Sequence, residues 1–575
     1  MFNISKHVFS LQGRLILLIL GSLFSVALPL NLFYILVYLL NTLLISVVIH
    51  GLYKEYSLVR YSKKYFLLKI FVMIFSFVFL FYSFLLFFKT LFFSVDYRIT
   101  SAGIRTYLVI FYFLILFVSI SNVTQLIKFF DIAKNSPAIA TISSFSILII
   151  IGAMLLTLPV CNVAIEKISF IDSLFISASA TCVTGLSTVD IGTYYTRFGQ
   201  IVVLFLIQTG GIGIITLALS LPIIMGSQTT YTSMIAIKNI TGVKTVKEVF
   251  SIVRAVIFST LLIEFIGAVL LYLTDKSTQN IRFKIFSSIF HSVSAFCNAG
   301  FSIFTDNLTK YANNPFYVLV IMILIITGGI GYPVLTNFLT FSKNKILRRR
   351  PAGLSFHTKV VLSTTGILIL TGTFLCLILE WNNSLGHLSF GSKFLNALFM
   401  SVTPRTAGFN TVDMTRICAP TIIILIILMF IGASPSSTAG GIKTTTFATM
   451  LFCLKALIKN RNEVEAFKRT IPIDSIYRAM NVTFISSGII FFSIFMLSIF
   501  EKDKDIIKII FEAFSAFGTV GLSLGITPQL SVLGKIIIIL TMLTGRVGPL
   551  SIALIFAKNK VSAPYKYPED YIIIG

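Results

Sequence analysis

The sequence predicts an all-α polytopic membrane protein in which four helix–loop–helix repeats surround a central axis. Three observations carry that prediction. Of 575 residues, 56% are hydrophobic and 12% are charged, far from the composition of a soluble domain. Apolar runs long enough to cross a hydrocarbon core of roughly 30 Å recur along the chain. One short polar stretch, Thr181-Cys-Val-Thr-Gly-Leu-Ser187, returns as Phe296-Cys-Asn-Ala-Gly-Phe-Ser302, Pro404-Arg-Thr-Ala-Gly-Phe-Asn410 and Phe517-Gly-Thr-Val-Gly-Leu-Ser523. Aligned on Gly185, Gly300, Gly408 and Gly521, the copies lie 115, 108 and 113 residues apart, an internal repeat of near-constant period. Ser-Ala precedes three of the glycines by six and five residues; the third copy has Val402-Thr403 instead. Solid apolar runs, rather than short alternating ones, argue against a β-barrel.

In chain order, residues 1–135 read as an N-terminal transmembrane helical extension of about four spans. It opens with an apolar block, 14–53, folded as a hairpin near Pro29 and Asn31, and continues in two Phe-rich spans near 66–95 and 106–127. No A-x-A cleavage site follows the first segment, so it reads as a retained helix. The repeats then occupy 138–225, 226–343, 344–457 and 458–557, with 558–575 as a tail. Each reads as span, short re-entrant helix, loop, span. In the first, these are Ala138–Pro159, Ile171–Thr181 and Phe198–Met225. The short helices, expected at about 10 to 12 residues, cannot cross the bilayer.

Lys and Arg collect in alternate loops: Lys238, Lys244 and Lys247; Lys343, Lys345 and Arg348–Arg350; Lys455, Lys459, Arg461, Lys468, Arg469 and Arg478. The opposite loops mix signs, as in Glu501-Lys-Asp-Lys-Asp505. The positive-inside rule makes the basic loops and both termini cytoplasmic, and the chain a multi-pass protein of the plasma (inner) membrane. It also accounts for the net charge of +25 without nucleic acid, since no basic patch sits on a soluble module. The chemistry of an enzyme is absent: there is no nucleophile constellation, Walker loop or dinucleotide fingerprint. The six cysteines lack metal or redox spacing, and Cys182 and Cys297 read as tight packing behind their loops.

Non-helical backbone at membrane depth is tolerated only when buried in protein or lining a water-filled cavity. Four such loops in register therefore argue for a shared aqueous path, and the fold class becomes four helix–pore-loop–helix repeats around a pseudo-fourfold pore. A dehydrated monovalent cation needs a ring of oxygens, which backbone carbonyls supply, and glycine provides the unusual φ/ψ that aligns them. The candidate filter is Val183, Thr184 and Gly185; Asn298, Ala299 and Gly300; Thr406, Ala407 and Gly408; Thr519, Val520 and Gly521. It contains no Asp or Glu. Arg405 is expected behind the filter, with a carboxylate or backbone partner.

The second spans carry Thr209-Gly-Gly-Ile-Gly213, Thr327-Gly-Gly-Ile-Gly331 and Thr544-Gly-Arg-Val-Gly-Pro549. The paired glycines in the first two read as close helix packing. The third repeat differs. There Gly432, Ala433, Ser434, Pro435, Ser436, Ser437, Thr438, Ala439, Gly440, Gly441, Ile442 and Lys443 should interrupt the helix. A flexible loop halfway along a pore-lining span is a candidate gate. Arg546, at the matching level of the fourth repeat, is expected to hold its carbonyls, including those freed around Pro435. Glu264 is expected to serve an Arg or a helix terminus, and His291 to be a hydrogen-bonding residue rather than a ligand.

These motifs resemble the Trk/Ktr/HKT superfamily of potassium transporters, and within it the Ktr-type membrane subunit. The match rests on the four glycine loops, on Ser434–Lys443 and on Gly545–Pro549, over residues 138–560. The resemblance implies potassium uptake through a channel-like path, in a homodimer within the lipid bilayer. It also implies a cytosolic nucleotide-binding regulatory subunit made by another chain, and no organic cofactor here. Sodium is left open as a coupling or activating ion. The family's filter glycines fall on Gly185, Gly300, Gly408 and Gly521, its gate loop on Gly432–Lys443 and its loop-contacting arginine on Arg546. Glycine at 185, rather than the serine associated with sodium-preferring relatives, implies potassium. Residues 1–135 extend beyond the resemblance, and Ala433 and Ala439 stand where many relatives would have Gly. A secondary transporter with alternating access is the rival reading, opposed by the parallel orientation of the repeats.

Overall fold

The computed structural model describes residues 137–163, 169–213, 246–276, 280–346 and 353–549, with Pro568 and Asp570. The extension at 1–135, residues 214–245, Arg348–Arg350 and nearly all of the tail lie outside these residues. The first repeat supplies α1 (Pro137–Leu156), α2 (Phe170–Thr181) and α3 (Arg197–Ile212). The second supplies α4 (Val246–Thr274), α5 (Ile281–Phe296), α6 (Pro315–Ile330) and α7 (Tyr332–Ile346). The third has α8 (Phe356–Glu380), α9 (Phe390–Val402), α10 (Ala419–Phe430) and α11 (Thr444–Ile458). The fourth has α12 (Ile473–Phe500), α13 (Ile506–Gly518) and α14 (Val532–Val547). Arg254–Thr274 within α4, together with α8 and α12, is long and apolar enough to cross a membrane. These helices expose Phe258, Phe265, Phe374, Phe484 and Phe491, as a lipid-facing surface requires. The protein is a multi-pass membrane protein.

Within each repeat the leading helix packs on its short helix: α1 on α2, α4 on α5, α8 on α9, α12 on α13. Serines fasten three of these seams. Ser177 donates to Ile149 O at 2.6 Å, Ser292 to Glu264 O at 2.6 Å and Ser401 to Ile369 O at 2.8 Å. A Cβ on Gly152, Gly267 or Gly372 would collide with those same hydroxyls, so small residues set the close approach. Between repeats, each closing helix packs on the next short helix: α3 on α5, α6 on α9, α10 on α13. Then α14 packs on α2, with Lys535 and Asp172 joined at 2.7 Å, so the cycle closes.

The short helices have 12, 16, 13 and 13 residues; the first meets the expected length and the other three exceed it, though the longest still spans only about 24 Å. The helix begun at Arg197 ends at Ile212, where Gly213 takes φ 88°, and the rest of that expected span, 214–225, lies outside the described residues. The paired glycines Gly328 and Gly329 pack closely as expected, but beyond them α6 and α7 meet at a bend of 106°, which was not expected. Gly331 there has φ 88°, and Pro333 in the first turn of α7 cannot donate backward. Gly548 ends α14 in the same way, at φ 94°. Three closing helices, α3, α6 and α14, therefore end at a positive-φ glycine.

Glu501, the first residue of the mixed-sign loop Glu501–Asp505, is buried. It accepts the Ser531 N–H at 2.7 Å, capping the end of α12 onto the start of α14. Glu380 does the same between α8 and α10, accepting from Cys418 N at 2.9 Å.

Candidate functional site

The four glycine loops spring from the ends of α2, α5, α9 and α13. In three, the amide before the glycine reaches back to the serine carbonyl of the Ser-Ala pair: Thr184 N to Ser179 O at 2.8 Å, Ala299 N to Ser294 O at 2.7 Å, Val520 N to Ser515 O at 2.8 Å. The serine hydroxyls add a second tie. Ser179 accepts from Gly185 N at 3.0 Å, Ser515 accepts from Gly521 N at 3.1 Å, and Ser294 donates to Phe301 O at 2.8 Å. In the divergent third copy Thr403 takes over, donating to Phe409 O and accepting from Ala407 N through its carbonyl.

Each loop holds two positive-φ residues, one apart: Val183 (58°) and Gly185 (95°), Asn298 (61°) and Gly300 (72°), Thr406 (70°) and Gly408 (74°), Thr519 (50°) and Gly521 (93°). Glycine adopts this region freely. For Val183, Thr406 and Thr519, whose side chains branch at Cβ, it is a strained state costing on the order of 1–3 kcal/mol. Nothing in these residue types signals it. The four loops abut in a closed ring. A Cβ built on Gly185 would strike Ala299 O, one on Gly300 would lie 2.7 Å from Ala407 O, one on Gly408 2.5 Å from Val520 O, and one on Gly521 would strike Thr184 O. Carbonyls of all four repeats thus converge at one place, and that is chemistry suited to a desolvated cation. On one side of the ring lies a cavity of about 300 Å³, bordered by Gly185, Gly408, Gly521, Ser187, Asn410 and Asp413.

Residues 432–443 lie on the ring's other side, between α10 and α11. They do not form a free loop. Ser434 N donates to Gly329 O at 3.1 Å, Gly440 N to Thr519 Oγ1 at 3.1 Å, Thr444 N to Ala433 O at 3.1 Å, and Lys443 Nζ to Ala439 O at 2.7 Å. Ser436 O accepts from Tyr332 N at 3.3 Å, tying the loop to the bend after α6. Arg546 reaches the loop as anticipated, but its guanidinium donates to Thr438 O and to Gly210 O of the first repeat. It does not serve the carbonyls around Pro435. Pro435 O instead faces Gly331, where a Cβ would lie 2.6 Å from it.

Arg405 is buried behind the third loop, but among the described residues no carboxylate meets it. Its Nη2 donates to Thr365 Oγ1 at 3.3 Å, and its Nε has no partner. Glu264 serves neither an arginine nor a helix terminus: Gln208 donates to it at 3.1 Å, and the Cys297 thiol lies 3.7 Å away. Cys297 also presses on Gly211, where a Cβ would lie 2.5 Å from its sulfur. His291 bonds Ser287 O at 2.7 Å and Ser302 Oγ at 2.9 Å.

A closed cycle of membrane helices that directs four carbonyl-rich loops to one point defines a cation-translocating membrane protein. The family model described as TrkH, cation transport protein, matches residues 106–565, and the chain belongs to that family. It is 41% identical to Ktr system potassium uptake protein B of Bacillus subtilis, over 75% of this chain and 95% of that one. It is 36% identical to the potassium/sodium uptake protein NtpJ of Enterococcus hirae, over 77% and 98%. Its fold matches the crystal structure of the potassium transporter TrkH from Vibrio parahaemolyticus with a TM-score of 0.62 at 17% identity, covering 85% of this chain and 97% of that one. The chain is a transporter, not an enzyme.

Proposed function

We propose that the protein takes up potassium through a channel-like pore whose selectivity filter is the ring of Gly185, Gly300, Gly408 and Gly521 with the two residues before each. The carrying observation is that ring: four strained loops, each glycine against the next loop's carbonyl. The names of the Bacillus subtilis and Enterococcus hirae relatives support potassium as the substrate, and the latter supports a role for sodium. Inward movement is driven by the membrane potential, worth about 2.3 kcal/mol per charge per 100 mV. The loop 432–443 and Arg546 form the barrier beyond the filter. With Lys443, that barrier places two cationic side chains near the ion path, so a potassium ion passes only when the loop moves aside.

The four domains of the pore follow the repeat boundaries, with both termini cytoplasmic, and the protein works as a homodimer. Because its basic loops are short, regulation comes from a separate cytosolic nucleotide-binding subunit docked on them. Recovery of this chain alone from native membranes, with full nucleotide-regulated activity, counts against that partner. The transport reading is tested by ion flux in purified proteoliposomes, comparing potassium, rubidium and sodium with and without a sodium gradient. Potassium flux well above sodium flux is expected; equal fluxes overturn the reading.

A further inference from the structure

Nine residues before each ring glycine, the short helices carry Ile176, His291, Phe399 and Glu512. In α5 and α13 this position is polar yet wholly buried, with 0% exposure for both His291 and Glu512. Both side chains do the same thing. His291 meets Ser302, and Glu512 accepts from Ser523 at 2.8 Å and from Thr527 with its other oxygen. Ser302 and Ser523 are each the second residue after the ring glycine. In the first and third repeats the helix position is apolar, and the matching Ser187 and Asn410 bond to their own loops at Val189 O and Val412 O. The packing order of the repeats puts the second and fourth across the ring from each other. Among the described residues, a side-chain bond from this helix position to the segment beyond the glycine is therefore found on one diagonal only.

A buried carboxylate is costly to keep without a cation partner, and among the described residues no cationic side chain pairs with Glu512. Its place in the fold explains the cost. Ser515, one helical turn on, fastens Val520 N and Gly521 N on the approach to the glycine. Glu512 fastens Ser523 and Thr527 beyond it, so α13 holds the chain on both sides of Gly521. We propose that Glu512, and His291 opposite it, are positioning residues that set ion discrimination by fixing two diagonally placed filter loops. The proposal rests on the filter reading above.

The test measures potassium and sodium flux in proteoliposomes for the full-length protein and for Glu512→Gln, Ser523→Ala and the double variant. Glutamine keeps the volume and one acceptor but turns a donor toward a hydroxyl. The potassium-to-sodium ratio should fall at least about threefold in each single variant, because the carbonyl cage loosens. The double variant should fall no further than the singles, since both remove one contact. His291→Asn should lower the ratio as well, whereas Ile176→Val and Phe399→Leu, at the equivalent helix position of the other two loops, should leave it unchanged. Wild-type ratios in folded Glu512→Gln and Ser523→Ala overturn the proposal, and so do additive losses in the double variant. If Glu512→Gln does not fold, Ser523→Ala and Thr527→Val decide alone: a wild-type ratio in both overturns it. Absence of potassium flux in the wild type brings down the filter reading itself and so is told apart from failure of the clamp.

Discussion

At Gly185 a side chain meets two obstacles at once, a φ of 95° and the Ala299 carbonyl of the next loop. Gly185→Ser must therefore push a filter carbonyl out of line, and sodium permeation should rise relative to potassium in tracer flux. An unchanged ratio in all four single Gly→Ser variants would sink the filter assignment. A second prediction concerns stability. Glu501→Ala leaves the Ser531 amide without its acceptor, and it should cost about 1–2 kcal/mol. A lower unfolding temperature in detergent checks it, with Glu501→Gln milder because an acceptor remains. The glycines were legible in the sequence because four copies at one spacing cannot be accidental turns. The positive φ at Val183, Thr406 and Thr519 was not, since residues of that type avoid this region unless tertiary contacts impose it. The burial of Glu501 was not legible either, because the amide it caps, Ser531 N, lies 30 residues further along the chain.

Among the elements, the break at 432–443 was legible from Pro435 and the paired glycines. The bend at Gly331 was missed because Gly-Gly-Ile-Gly serves equally well for close packing. It does both: a Cβ on Gly328 would strike Phe296 O, while Gly331 turns the chain by positive φ. The loop's bonds to Gly329, Thr519 and Tyr332 also explain why it is ordered where its composition reads as flexible. Arg546 adds donors to Thr438 O and Gly210 O, charge-assisted bonds worth about 1.5–3 kcal/mol each. Arg546→Gln, or a loop shortened within 436–439, should therefore raise flux severalfold. Stopped-flow or tracer uptake checks this; a fall to background in well-folded protein contradicts the barrier role.

On the scale of the whole molecule, the four repeats close on one another through α14 and α2; residues 1–135 lie outside the described residues, and we propose that they are peripheral to conduction. A truncation starting at 136 should lose expression or assembly while keeping transport per folded molecule. Complete loss of potassium flux from a folded truncation shows that the extension belongs to the conduction path. We propose that discrimination is set at the glycine ring and the barrier at the loop on its other side. It is tested most directly by measuring both flux rate and potassium-to-sodium ratio for wild type, Gly185→Ser and Arg546→Gln in matched proteoliposomes. The account predicts a lowered ratio for Gly185→Ser, and a raised rate at wild-type ratio for Arg546→Gln. A ratio that shifts as far in Arg546→Gln as in Gly185→Ser would contradict it.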